Sequence, residues 1–180
     1  MKRVREEMTN YLKSTIRTIP DFPKPGIQFR DITTLLKDRE ALALTADMLV
    51  SPFIDLDIDV VVGIESRGFM FGPILSIDLN ASFVPARKPG KLPAPSHKAE
   101  YELEYGTDTI EMHKDAFKPG ANVIIHDDLL ATGGTAKATR DLVEKMGGKV
   151  IAYSFIIELE ELKGRDLLDE LTPVHSVIKM

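Results

Sequence analysis

Apolar residues along this chain recur in two distinct patterns. Val4, Met8, Leu12, Ile16 and Ile19 share one helical face, and Pro20 closes the segment, which predicts a first helix. Leu42, Thr45, Met48 and Leu49 predict a second, ended near Pro52. By contrast, 59–64, 123–125 and 150–157 are apolar runs without alternation, as in strands covered on both faces of a parallel sheet. Helical spacing follows the first run at Phe71, Leu75 and Leu79, and the second at Ala138, Leu142, Val143 and Met146. Residues 82–86 read as a short strand and 174–178 as a last edge strand. The alternation of strand and helix predicts an α/β fold, a mainly parallel twisted sheet flanked by helices.

Two segments fall outside that rhythm. Residues 22–32 carry Pro23, Pro25 and Gly26 and are expected to form an extended loop without regular structure. Ile27, Phe29 and Ile32 are too apolar for a bare linker, so the loop is expected to cover something. Residues 101–106 and 109–113 alternate like the arms of a hairpin, with the reversal at 106–108. Read as polar on both sides, that hairpin is a candidate lid.

Composition narrows the setting. A chain of 180 residues suffices for one domain with a core. The net charge of -5, with acids and bases mixed, leaves no basic footprint for nucleic acid. The absence of cysteine excludes disulfides and thiolate metal sites and is compatible with a reducing cytosol. The start lacks the apolar centre of a signal peptide, and no run approaches a membrane span. The expectation is a soluble, cytoplasmic protein without nucleic-acid or membrane partners.

The candidate chemistry lies where strands end. The run at 123–125 leads through His126 to Asp127 and Asp128, then to Leu129, Leu130, Ala131, Thr132, Gly133, Gly134 and Thr135, behind which a helix opens. Backbone N–H groups in such a turn can cradle a phosphate dianion, with the hydroxyls of Thr132 and Thr135 as further donors. The ATP-type loop is a poor match because Gly134 is followed by Thr135 and Ala136 rather than Lys-Ser/Thr, and the dinucleotide fingerprint is missing. Two acids repel a phosphate unless they face another part of the ligand. Vicinal sugar hydroxyls suit them, and a magnesium ion would ease what repulsion remains. The bland alternative is a strand–turn–helix with solvated acids, which leaves their place at the end of a buried strand unexplained.

The other strand ends repeat the theme. Residues 59–64 run straight into Glu65-Ser66-Arg67-Gly68, where Arg67 is either a surface charge or a cation suited to a polyanion. After 82–86 come Arg87, Lys88 and Lys91 among helix breakers. Charge runs are ordinarily solvated faces, but a constrained loop at a strand end favours anion binding.

The stretch 123–135 resembles the phosphoribosyl-pyrophosphate (PRPP) motif of type I phosphoribosyltransferases, and the whole chain resembles the adenine-specific members of that family. Six segments match in order: the FPKPGIQFRDIT-like loop at 22–33, ESRGF at 65–69, RKPGKLP at 87–93, YELEYG at 101–106, HDDLLATGGT at 126–135 and ELEELKGR at 158–165. The resemblance implies one phosphoribosyltransferase domain over 1–180, with a small N-terminal hood at 1–33, a core at 34–180 and a flexible hairpin lid at about 95–113. It implies that adenine and PRPP give AMP and pyrophosphate through an oxocarbenium-like state, in a homodimer that uses Mg2+. The ion would be held mainly by PRPP, with Asp127 or Asp128 reaching it through water.

The same resemblance distributes the roles. Ala131, Thr132, Gly133, Gly134 and Thr135 would take the 5′-phosphate, and Asp127 and Asp128 the ribose hydroxyls. Glu65, Ser66, Arg67, Arg87, Lys88 and Lys91 would surround the pyrophosphate, some of the cations from the partner subunit. It also implies a cis peptide at Glu65-Ser66. Gln28, Phe29 and Arg30 would read adenine through backbone contacts and an aromatic stack, with Leu129 and Leu159 on its other side. A backbone carbonyl near purine position 6 accepts from the amino group of adenine and repels the oxo group of hypoxanthine or guanine. Glu104 would be the catalytic carboxylate at N7, with Tyr105 helping to close the lid. His126 departs from the aliphatic residue usual in the family, either packing as a neutral histidine or touching the acids. Residues 96–98 match no assigned pattern. An oxopurine transferase and a PRPP-sensing regulator are the competing readings. The base-reading loop argues against the first, and the short chain with an intact basic loop argues against the second.

Overall fold

The computed structural model describes residues 2–102 and 107–180. The chain divides into two compact units, one up to Met48 and one from Leu49 to Met180.

The first unit opens with helix α1 (Lys2–Thr15). It is shorter than its apolar spacing suggests, because Arg17–Pro20 leaves the helix as strand β1 and pairs antiparallel with β2 (Gln28–Asp31), Ile19 opposite Phe29. The expected irregular loop is therefore irregular only at 21–27. Gly26 N–H donates to Asp21 Oδ1 at 2.7 Å, and the rings of Phe22 and Phe29 meet edge to face at 5.1 Å. Arg17 Nε donates to Asp31 Oδ2 at 3.1 Å, and this guanidinium holds the Asp31 carboxyl down at about 2. Short helix α2 (Thr33–Leu36) and helix α3 (Arg39–Val50) follow, the last two residues of α3 falling in the second unit, with Ile32, Leu35 and Ala41 fully buried. Of the residues on the apolar face of α1, Val4 and Met8 are exposed while Leu12 is buried.

The second unit is built on β3 (Val60–Ile64), followed by α4 (Gly68–Asp78) and β4 (Ser82–Ala86). A hairpin of β5 (Ser96–Glu102) and β6 (Thr107–His113) leads to β7 (Asn122–Leu130), α5 (Gly134–Lys145), β8 (Lys149–Glu158) and β9 (Val174–Lys179). The five parallel strands lie in the order β4-β3-β7-β8-β9. Both faces are covered, which is why the inner strands do not alternate. On one face Val60, Val62, Ile64, Val123, Ile125, Tyr153 and Phe155 pack with Ala138, Leu142 and Val143 of α5. On the other, Ile124 and Ala152 pack with Phe53 and Ile58.

The hairpin corrects two expectations. Glu102 pairs with Thr107, so Thr107 and Asp108 belong to the second arm rather than to the reversal. Nor is it polar on both sides: Tyr101, Ile110 and Met112 are buried in the same cluster as the sheet. The arms of the expected lid are thus part of the core at these positions. Residues 96–98, unassigned from sequence, open β5 opposite residues 111–113.

Candidate active site

The connection after β3 leads through α4 to β4 on one side, whereas that after β7 leads through α5 to β8 on the other. Neighbouring parallel strands whose connections diverge leave a crevice at their carboxyl ends, the usual ligand position in open α/β sheets. Glu65-Ser66-Arg67 sits at the end of β3, and Asp127 and Asp128 lie near the end of β7.

The two ends are drawn close. A Cβ on Gly68 would fall 2.8 Å from the carbonyl oxygen of His126 and 3.2 Å from Asp127 Oδ1, so only glycine lets α4 start against β7. Arg67 Nε lies 3.0 Å from Asp128 Oδ2. That oxygen is buried and has no hydrogen-bond partner among the described residues, so the contact is an ion pair without hydrogen-bond alignment. Burial, then the neighbouring charge of Asp128, holds the Asp127 carboxyl well above the ordinary range. Burial raises Asp128 as well, against the pull of Arg67. Two acids kept in a site that disfavours their charge are poised for hydroxyl or cation partners. The Glu65–Ser66 peptide is cis.

Beyond the acids the chain forms a small cup. Asp127, Leu129, Leu130, Phe155 and residues 131–136 line a small cavity of about 60 Å³. Gly133 holds φ 87°, which turns the chain into α5, whose first N–H groups have no intrahelical acceptors and whose residues 134–136 line the cup. Thr132 is exposed and Thr135 half-buried. Leu129 and Leu159 are half-buried neighbours of this edge, and Leu159 N–H donates to the carbonyl of Leu130 at 2.9 Å.

The basic loop is tied down rather than solvated. Arg87 Nε and Nη2 each donate to the Glu65 carboxylate at 3.1 Å, and Lys88 N–H donates to the same carboxylate at 2.9 Å. The Arg87 guanidinium keeps Glu65 below its ordinary range. The side chain of Glu65 therefore holds the loop in place. Lys88 Nζ bonds Asp108 and lies 3.0 Å from the Tyr101 hydroxyl. Lys91 is exposed.

His126 is fully buried, its Nδ1 3.1 Å from the Ser154 carbonyl. Burial pushes its pKa down to about 4, so it packs as a neutral ring and makes no contact with the acids that requires charge. Because the folded value lies below the unfolded one of roughly 6.5, stability is retained above that pH and lost as pH falls toward 4. His126→Val should flatten this loss of Tm between pH 6.5 and 4. A parallel loss in the variant would place its cause in other groups.

Structure thus brings Glu65, Ser66, Arg67, Asp127, Asp128 and residues 131–135 to one crevice, with Arg87 and Lys88 tied to it through Glu65. Gln28, Phe29 and Arg30 lie on β2 in the N-terminal unit, and Glu104 and Tyr105 fall outside the described residues. Gly68 and Gly164 were not singled out from sequence, although each stands inside a matched motif.

The phosphoribosyl transferase domain model matches residues 32–174. Adenine phosphoribosyltransferase of Picosynechococcus is 59% identical over 170 residues, 93% of this chain and 98% of that protein. The chain belongs to the adenine phosphoribosyltransferase family. The enzyme of that name from Sorangium cellulosum is 55% identical over 96% of this chain and 88% of its own length. The crystal structure of adenine phosphoribosyltransferase from Rhodothermus marinus matches with TM-score 0.93 at 54% identity, covering 97% of this chain and 99% of that one. A family member from Giardia lamblia, complexed with 9-deazaadenine, matches with TM-score 0.90 at 39% identity over 96% of this chain and 97% of that one. For this family member the type I fold expected from sequence is the fold observed.

Proposed function

We propose that the protein makes AMP and pyrophosphate from adenine and PRPP by displacement at the anomeric carbon. The observation that carries the reading is the Gly-rich cup at the sheet's switch point, lined in part by Asp127, with Asp128 beside it in the chain and paired to Arg67. In this reading the loop at 131–135 takes the 5′-phosphate, and the two acids accept from the ribose hydroxyls. Arg67, held at Asp128, turns toward the pyrophosphate, where Arg87, Lys88 and Lys91 add charge. As pyrophosphate leaves, positive charge spreads over the sugar, and prearranged cations stabilise the departing anion. Leu129 and Leu159 line the base side of the crevice; the family resemblance assigns adenine contacts to residues 28–30 as well, and the proton at N7 to Glu104.

Among the described residues no group of three or more His, Asp or Glu could hold a metal. The donor set fits a magnesium ion brought in with the phosphates, which Asp127 or Asp128 would help to hold. Bound in that way, magnesium supplies charge neutralisation of the pyrophosphate. The family resemblance adds a cytoplasmic homodimer to this reading. Mixing protein, PRPP, magnesium and adenine should yield AMP with one pyrophosphate per AMP; adenine left unconsumed would sink the proposal.

A surface supports the dimer. Helix α4 is apolar around its circumference, and a helix of that kind is normally covered on all sides. Yet Met70 is 40% and Ile77 78% exposed. Ile77→Lys should convert a sedimenting dimer into monomer. A wild-type monomer, or an unaffected dimer, would contradict this interface.

A further inference from the structure

We propose that the turn after β8 is a brace for the 5′-phosphate subsite, with Glu158, Gly164 and Arg165 as its positioning residues. The inference rests on the PRPP reading above and gives the ELKGR stretch a task beyond the apolar wall at Leu159.

The turn is locked at its base. Arg165 Nε and Nη2 donate to the two oxygens of Glu158 at 2.5 and 2.6 Å, a bidentate fork on a carboxylate only 4% exposed. Glu160 N–H donates to the Met180 carbonyl, and Met180 N–H to that of Glu158, both at 2.9 Å, tying the turn to the end of β9. Lys163, at φ 50°, then reverses the chain and delivers Gly164.

Gly164 meets the phosphate loop backbone to backbone. A Cβ on Gly164 would lie 2.2 Å from the Ala131 carbonyl oxygen, and a Cβ on Gly133 would lie 2.3 Å from the Gly164 carbonyl oxygen. Gly133 also needs glycine for its positive φ, but Gly164 does not, so contact alone demands glycine there. The loop that would hold the phosphate therefore has its back against a turn whose own position is set by the Arg165–Glu158 fork. Because Leu159 N–H is bonded to the Leu130 carbonyl, the same turn sets the wall beside the base.

A brace differs from general structural support in being selective. Ribose 5-phosphate and pyrophosphate, each with magnesium, probe the two ends of the site separately by calorimetry. Gly164→Ala, which must displace Ala131, should weaken ribose 5-phosphate by about 10- to 100-fold, as expected for the loss of one hydrogen bond to a charged group, and leave pyrophosphate within about twofold. Arg165→Met should act in the same direction, and Arg165→Lys, which keeps charge but not the fork, should recover part of the loss. Should Arg165→Met fail to fold, Gly164→Ala alone decides. Equal weakening of both ligands, or of neither, overturns the brace. A wild-type protein that binds neither overturns the PRPP reading instead.

Discussion

Replacing both strand-end acids, Asp127→Asn with Asp128→Asn, should cost about 100- to 10,000-fold in kcat/KM for PRPP while leaving the fold as stable as before or more so. In the proposed reading each acid accepts from a ribose hydroxyl, and two such charge-assisted bonds at roughly 1.5–3 kcal/mol each give this loss, with about 1.4 kcal/mol per tenfold. The stability follows from the opposite side of the same geometry. Burial raises both carboxyls, and the charge of Asp128 adds to the rise at Asp127, so the site disfavours their ionisation. Neutral amides relieve that strain, although Arg67 loses its counter-charge at 3.0 Å. Steady-state kinetics and thermal melting measure the two effects. If the acids served only the fold, melting temperature would drop and kcat/KM would follow it. Function held at a cost in stability is the expected signature of a site.

The second large effect concerns the hairpin. Glu104→Ala should lower kcat by about 100- to 10,000-fold, the usual contribution of a positioned acid–base group, and leave PRPP affinity nearly unchanged. The arms leading to Glu104 are anchored through Tyr101, Ile110 and Met112 in the core and through Lys88, which joins Asp108 to the basic loop. The hairpin's base is therefore fixed by contacts independent of Glu104. Single-turnover AMP formation and PRPP titration separate the two quantities. Unchanged turnover would remove Glu104 from the chemistry, and a large loss of PRPP affinity would reassign it to binding.

Residue pattern alone reaches the centre of this molecule and weakens toward its edges. Strands β3 and β7 are buried on both faces, so their apolar runs were unambiguous, and their polar ends stand out because little else interrupts the core. Where a second element decides, periodicity misleads. Ile16 and Ile19 continue the spacing of α1, but Arg17–Pro20 pairs with Gln28–Asp31, a partner that spacing cannot reveal. Thr107 and Asp108 look like turn residues, yet the register of the hairpin places them in β6. Charge was read more easily than pairing. Arg87 and Lys88 stand out in the sequence as cations on a strand-end loop, whereas Glu65 as the carboxylate that holds them does not. Gly68 and Gly164 matter through contacts with carbonyl oxygens far along the chain, and a glycine in a motif carries no mark of which backbone it meets.

The claim that joins these parts is selection of adenine for transfer to the sugar phosphate. Equal amounts of adenine, hypoxanthine, guanine and xanthine, with limiting PRPP and magnesium, put it to the test in one vessel. AMP should make up nearly all nucleotide formed. Nucleotides of the oxo bases in comparable amount, or no nucleotide at all, would contradict it.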